Sequence, residues 1–248
     1  MSDAAAAEND SMSLFSHITE LRYRLIWSLV TVAVFFCFVF FFSDKVINFL
    51  KQPLLTSLPN TTTELHFTGP LDVFLASIKV SFLTAVVCAC PIWLYHFWKF
   101  IEPALLKNER KFILPFILIS ILLFLLGLAF CYWIILPITL NFLVNLGLEV
   151  GTPMITINDY LSLITIMIFG FGLIFEFPLI LILLAFLDIV SAESLSSKRR
   201  YVCIGVLVVA AVLTPPDPLS QIGMAIPLYL MYELSIFIIR LLKKSKVT

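Results

Sequence analysis

Long apolar runs separated by short polar clusters fill the chain from about residue 25 onward. A helix needs roughly 20 apolar residues to cross a hydrocarbon core about 30 Å thick. Six runs approach that template, at 25–42, 73–98, 112–136, 160–187, 201–214 and 222–242. The pattern predicts an all-α integral membrane protein with six transmembrane helices. The runs are unequal: at 1.5 Å per residue the second would reach about 39 Å and the fifth only about 21 Å. The second must tilt or protrude, whereas the fifth needs a locally thinned bilayer or close packing on other helices. Short C-terminal spans five and six therefore predict a thinned membrane beside them.

The polar segments between the runs are themselves patterned. Within 43–72, "DKVINFLKQPLL" is amphipathic and is expected to be stopped by Pro53, with further breaks at Pro59 and Pro70. It predicts a short interfacial helix and a structured cap over the outer face. Segment 137–159 has no Lys or Arg but carries Gly147, Gly151 and Pro153, and is expected as a second structured extension. The proline-rich "TPPDPLSQ" forces a tight reversal between spans five and six. Residues 1–15 are small, polar and acidic and are expected as a disordered tail, 16–242 as the membrane domain, and 243–248 as a basic tail.

Composition agrees with a polytopic membrane protein: 61% of residues are hydrophobic and 13% charged, with mean hydropathy +1.06, against about 25% charged in soluble domains. The 16 basic and 16 acidic residues cancel, so net charge points to no nucleic acid, and only its placement informs. Lys45 and Lys51 fall on one side and Lys79 within a span. Arg22, Arg24, Lys99, Lys107, Arg110, Lys111, Lys198, Arg199, Arg200, Arg240, Lys243, Lys244 and Lys246 fall on the other. The positive-inside rule then puts both termini in the cytoplasm. All five cysteines lie in apolar runs, where thiols behave as small hydrophobes. Neither a disulfide framework nor a metal site nor a cofactor is expected, and no nucleophile, base and orienter converge as an enzyme requires.

Polar residues inside the runs need explaining. Glu176, in "FGFGLIFEFP", sits at mid-membrane, where a charge costs about 2.5–3.5 kcal/mol on insertion scales and by default marks a site with a partner. Gly170, Gly172 and Pro178 around it allow a bent helix and close approach of another backbone. Either a functional carboxyl or an acid bonded only to a neighbouring helix fits. Lys79 is expected to snorkel to the outer interface, Glu233 to reach the cytoplasmic face, and Trp93, Tyr95 and Trp98 to form an aromatic belt with His96 among them.

On the basic side, "SHITELRYRL" and "FWKFIEPALLKNERKF" carry Glu20, Glu102 and Glu109 where Lys and Arg are otherwise favoured. Glu20 either stabilises a helix start and pairs with Arg24 four residues on, or joins an anionic patch for cationic ligands, since a carboxylate accepts a guanidinium through two parallel bonds. Glu102 either adds to the patch or pairs with Lys99.

These stretches resemble the TatC family, the multispanning core of the twin-arginine protein translocase. The resemblance rests on "HITELRYRL", "FIEPALLKNER", "FGFGLIFEFP", and "SKRRYV" followed by "LTPPDPLSQ", in order from about His17 to Arg240. It implies a concave six-helix scaffold in a bacterial cytoplasmic (inner) membrane. It also implies a non-enzymatic receptor for the signal peptides of folded precursors, working with single-span TatA-type and TatB-type partners, forming homo-oligomers and driven by the proton-motive force. Glu20 and Glu109 match the acidic pair for the twin arginines, Arg22 the signature arginine, and Phe74 and Phe100 aromatic positions near the signal site. Pro53 matches a proline of the outer cap and Asp217 the acid of the turn, while Thr214 and Gln221 flank the region that docks the small partners. The competing class is a proton-coupled solute transporter, suggested by Glu176 with its glycines and proline.

Overall fold

A computed structural model of the chain describes residues 2–57, 66, 69–104, 113–150, 155–213 and 218–247. The first helix, α1, runs Ser2–Phe40. Residues 2–15, expected as a tail, continue it, in keeping with the strong helix propensity of the Ala4–Ala7 run and the acids that follow near a helix N-terminus. Helix α2, Ser43–Ser57, continues through Pro53 instead of stopping there. The second apolar run is two helices, α3 (Pro70–Cys88) and α4 (Cys90–Ile101), broken at Ala89 because Pro91 occupies the first turn of α4. Asp72 fixes the start of α3 by accepting from the Gly69 N–H at 3.1 Å.

A 3₁₀ turn, Glu102–Ala104, ends that segment. Helix α5 (Ile113–Phe130) passes through a π-helical turn, Cys131–Ile135, into α6 (Leu136–Val150). The helix thus continues past Pro137, where an end was expected. The π turn shifts the bonding to i→i−5, Leu136 N–H to Cys131 O, just before the proline that has no N–H to give. The fourth run also divides, into α7 (Ile157–Phe175) and α8 (Phe177–Phe186), at Glu176. Helices α9 (Ala192–Ser197), α10 (Arg199–Leu213) and α11 (Pro218–Val247) complete the described chain.

Among the described residues, five stretches are long and apolar enough to cross a membrane: Ile18–Phe40, Leu71–Cys88, Ile113–Leu148, Ile157–Phe186 and Gln221–Leu241. The 15 residues of α10 reach only about 22 Å. Helix α3 packs on α1 and α7, α5 on α7 and α4, α11 on α8 and α10, and α2 on α3 and α6. Large apolar side chains such as Leu29, Val34 and Phe38 of α1 and Leu114, Leu118 and Leu122 of α5 point outward. An apolar surface of that extent is stable only against lipid or partner helices.

The aromatic trio expected as a belt divides. Trp98 is 2% exposed and packs on Phe116 at 5.3 Å. Trp93 meets Phe124 edge-on at 5.4 Å and donates its indole N–H to Val86 O at 3.1 Å. Trp98 is interior and Trp93 half-buried; of the three, only Tyr95 is exposed. The break at Ala89 turns this segment, and a straight helix drawn from sequence misses that rotation.

At the end away from the basic residues, a parallel bridge joins His66 and Thr156, and α2 is tied down by two tyrosines. Pro53 lacks the N–H that would bond the Phe49 carbonyl. Tyr132 takes its place, donating its hydroxyl to Phe49 O at 2.8 Å and stacking its ring on Phe49 at 4.6 Å. Tyr160 donates to the next carbonyl, Leu50 O, at 2.8 Å. Tyr132→Phe keeps the stack and loses the bond, and is expected to lower unfolding free energy by about 1 kcal/mol. In a Pro53→Ala background the restored N–H serves the same carbonyl, so the Tyr132→Phe penalty should shrink. Equal penalties in both backgrounds, measured by denaturation in detergent, would refute the account.

Candidate functional site

The basic end brings part of the expected ligand site together. Glu20 lies on α1 with Arg24 one turn on, and the Arg24 Nε donates to Glu20 Oε1 at 3.0 Å while its Nη2 binds the same oxygen. Arg24 and Phe100 both line an apolar groove of about 320 Å³ between α1, α4 and α7, with Val86 of α3 also in its wall. Leu21, Leu25, Phe97 and Phe169 share that lining. Glu20 therefore stands at the rim of an apolar trough, one turn from a residue that lines it. Arg22 is exposed on another face of α1. Glu102 pairs with Lys99 at 2.5 Å, which settles its two readings in favour of the local pair. Glu109 lies outside the described residues.

Phe74 is not part of this assembly. It sits near the start of α3, edge-on to Phe40 at 6.4 Å, and Phe40 is the last residue of the helix that carries Glu20. Twenty helical residues separate those two positions by about 30 Å. The expectation that Phe74 stands near the site holding Glu20 is therefore corrected. Sequence motifs carry no depth coordinate, so residues at opposite ends of neighbouring helices read alike. Lys79 is corrected too: it does not snorkel but crosses to α7, donating to Asn158 Oδ1 at 2.7 Å and Ser162 Oγ at 2.8 Å.

Glu176 is 7% exposed and sits at the break between α7 and α8. Most helical Ser and Thr here bond back to their own helix, as Ser77 does to Val73 O, Thr84 to Val80 O and Ser235 to Met231 O. Ser120 differs, donating its hydroxyl to Glu176 Oε2 at 2.6 Å across the α5–α7 contact. Among the described residues Glu176 Oε1 has no hydrogen-bond partner. Two glycines make the crossing this close. A Cβ on Gly127 would lie 2.7 Å from Phe171 O, and one on Gly172 2.7 Å from a Phe124 ring carbon. Gly127 lies seven residues after Ser120 and Gly172 four before Glu176, so all four share one pair of facing surfaces.

Near the α10–α11 turn, Gln221 donates its side-chain amide to Leu207 O at 3.1 Å. Thr214 and Asp217 lie outside the described residues. Sequence reasoning missed one strong cluster. Arg199, at the start of α10, makes a two-pronged ion pair with Glu233 of α11, at 2.7 and 2.8 Å, and Tyr229 donates to the same carboxylate at 3.1 Å. Arg240 reaches Ser196 Oγ at 2.6 Å and Tyr232 donates to Leu195 O at 2.7 Å. The Arg199–Glu233 pair clamps the short α10 to α11 at its basic end, and the Arg240 and Tyr232 bonds fasten α9 to the same helix. The Tyr229–Glu233 spacing of four was the only cue in the sequence, and it names no partner across 34 residues.

The profile of a family described as "Sec-independent protein translocase protein (TatC)" matches residues 16–227. The Sec-independent protein translocase protein TatC of Aquifex aeolicus is 39% identical over 237 residues, 95% of this chain and 98% of its own. That of Escherichia coli K12 is 37% identical over 234 residues, 93% and 89% of the two chains. Among solved structures, one described as "Crystal Structure of Twin Arginine Translocase Receptor- TatC in DDM" superposes with TM-score 0.80 at 39% identity, covering 90% of this chain and 99% of that one.

Proposed function

The chain belongs to the TatC family of Sec-independent protein translocase proteins, and from that premise we propose that it is a membrane receptor for twin-arginine signal peptides. The observation that carries the reading is Glu20 at the rim of the apolar groove that Arg24 and Phe100 line. A segment with guanidinium groups followed by an apolar stretch matches that order of charge and trough. Glu20, with Glu109, takes the arginines through charge-assisted bonds, and the groove with Phe100 shelters the apolar part; Arg22, exposed on another face of α1, is left for a contact outside the groove.

In this reading α10 is a sixth, short membrane crossing, and both termini lie in the bacterial cytoplasm, where the basic end of the bundle belongs. Thr214 and Gln221, beside α10, dock the TatA-type and TatB-type single-span partners through a side-chain amide in a poor solvent. The turn acid Asp217 and the Pro53 cap shape the outer face. The receptor works as a homo-oligomer, performs no catalysis of its own, and passes folded precursors at the expense of the proton-motive force. The solute-transporter reading has nothing to recommend it, since the relatives are described as protein translocase and translocase receptor proteins.

A photo-crosslinker placed at Phe100, and another at Gln221, tests both halves in native membranes. In a well-inserted Glu20→Gln/Glu109→Gln variant, crosslinks from Phe100 to a twin-arginine signal peptide should fall by about tenfold or more, because each lost charge-assisted bond is worth about 1.5–3 kcal/mol. Crosslinks from Gln221 to the small partners should persist. Undiminished signal crosslinking would sink the receptor site, and joint loss of both would sink the separation of the two surfaces.

A further inference from the structure

The carboxylate that the receptor reading assigns to an incoming arginine is already holding one. Arg24 contacts Glu20 Oε1 through two nitrogens. Its side chain is 18% exposed, against 37% for Glu20, because its aliphatic stem lines the apolar groove beside Leu21, Leu25 and Phe97. Its own backbone carbonyl is held by Ser28 Oγ at 2.9 Å. An exposed helical pair at this spacing is loose. Here the stem is packed along apolar surface while the head reaches the acid, so the guanidinium is kept where a ligand's guanidinium has to go.

We propose that Arg24 is an intramolecular competitor for Glu20: it occupies the carboxylate when no peptide is bound, has to be displaced on binding, and recaptures the acid as the peptide leaves. The inference rests on the reading of Glu20 as the guanidinium-binding residue. The exchange replaces one guanidinium with another of the same geometry. It spares Glu20 an unpaired state at the groove rim, where removing a partner is costly. It also lowers peptide affinity, since the peptide gains only the difference between two similar bonds and meets a like charge on arrival. A receptor that must hand its ligand onward benefits from that weakening through faster release, the rate in which affinity changes mostly appear.

The test uses the full-length protein in lipid nanodiscs and a fluorescent peptide with two adjacent arginines followed by an apolar stretch. Arg24→Gln should tighten binding by about three- to fivefold, mainly through slower release. Arg24→Lys keeps the charge but donates from a single point, and should fall between Gln and the parent; equality with the parent would assign the effect to charge repulsion and overturn displacement. In a Glu20→Gln background the Arg24→Gln gain should vanish. Binding by Arg24→Gln no tighter than the parent, or an undiminished gain without Glu20, would also overturn the proposal. If adding Glu20→Gln to Arg24→Gln leaves binding as tight as in Arg24→Gln alone, Glu20 holds no ligand arginine even when free of its competitor, and the receptor assignment of Glu20 fails instead.

Discussion

Gly127→Leu is expected to cost this protein most of its folded state in detergent, with Gly127→Ala already measurably destabilised. A helical Gly→Ala change normally gains about 0.5–1 kcal/mol from backbone entropy alone. At Gly127 that gain meets a wall, because the new Cβ would lie 2.7 Å from the Phe171 carbonyl oxygen and 2.9 Å from the Phe175 ring. A ring can turn aside, but a backbone oxygen moves only with its helix. Separating α5 from α7 then removes overpacked and well-packed contacts together, at about 1–3 kcal/mol for each step of crowding, out of a total of about 5–15 kcal/mol for a typical domain. It also pulls Ser120 away from Glu176, whose 2.6 Å bond spans the same surfaces. Gly205 of α10 provides the contrast, since a Cβ there meets nothing within 4 Å. Gly205→Ala should hold or raise the melting temperature. Thermal unfolding followed by retention on a sizing column separates the two, and a Gly127→Ala protein that melts at or above the parent would refute the close-crossing account.

The same crossing shows what was and was not legible in the sequence. Membrane insertion, helical class and the receptor family are written in run lengths and ordered motifs, because bilayer thickness and helical rise allow few alternatives. Glu176 stood out for the same reason: a carboxyl in an apolar run is rare and expensive. Its partner did not stand out, since Ser120 is one of many helical serines and only the three-dimensional contact shows that its hydroxyl leaves its own backbone. Breaks at Ala89 and Glu176 reorient residues that a straight-helix template places wrongly. That is why Trp98 was expected in a belt but lies in the core. Conversely, Pro53 and Pro137 were expected to end helices, yet a tyrosine hydroxyl bonds the carbonyl left free at one, a π turn precedes the other, and both helices continue. Proline reports a missing donor, and whether the chain then stops depends on neighbours from distant segments. The Glu20–Arg24 pair was visible as a spacing of four, whereas the groove beneath it needs residues of four helices to exist.

Replacing Glu176 with leucine should leave the protein at least as stable as the parent while cutting export of a twin-arginine substrate by about tenfold or more, equivalent to about 1.4 kcal/mol. Stability and function are expected to part because Glu176 is a poor structural residue where it stands. It is 7% exposed, bonded on one oxygen to Ser120, and without a hydrogen-bond partner on the other among the described residues. Leucine removes that unmet polar atom, and the freed Ser120 hydroxyl can turn to the carbonyl four residues back, as its neighbours in other helices do. An acid kept at an apolar helix break without structural reward is the expected signature of a site held for a partner. Glu176→Gln retains a side-chain oxygen for Ser120 and a polar amide for that partner, so it should keep most of the export. Ser120→Ala leaves the carboxyl in place with its other bond lost, and should lower stability more than export. If Glu176→Leu instead melts well below the parent, the acid is a structural link between α5 and the α7–α8 break. If Gln and Leu are equally damaging with stability intact, the ionisable proton itself is required, and Glu176 acts as a titrating group and not merely as a hydrogen-bonding one.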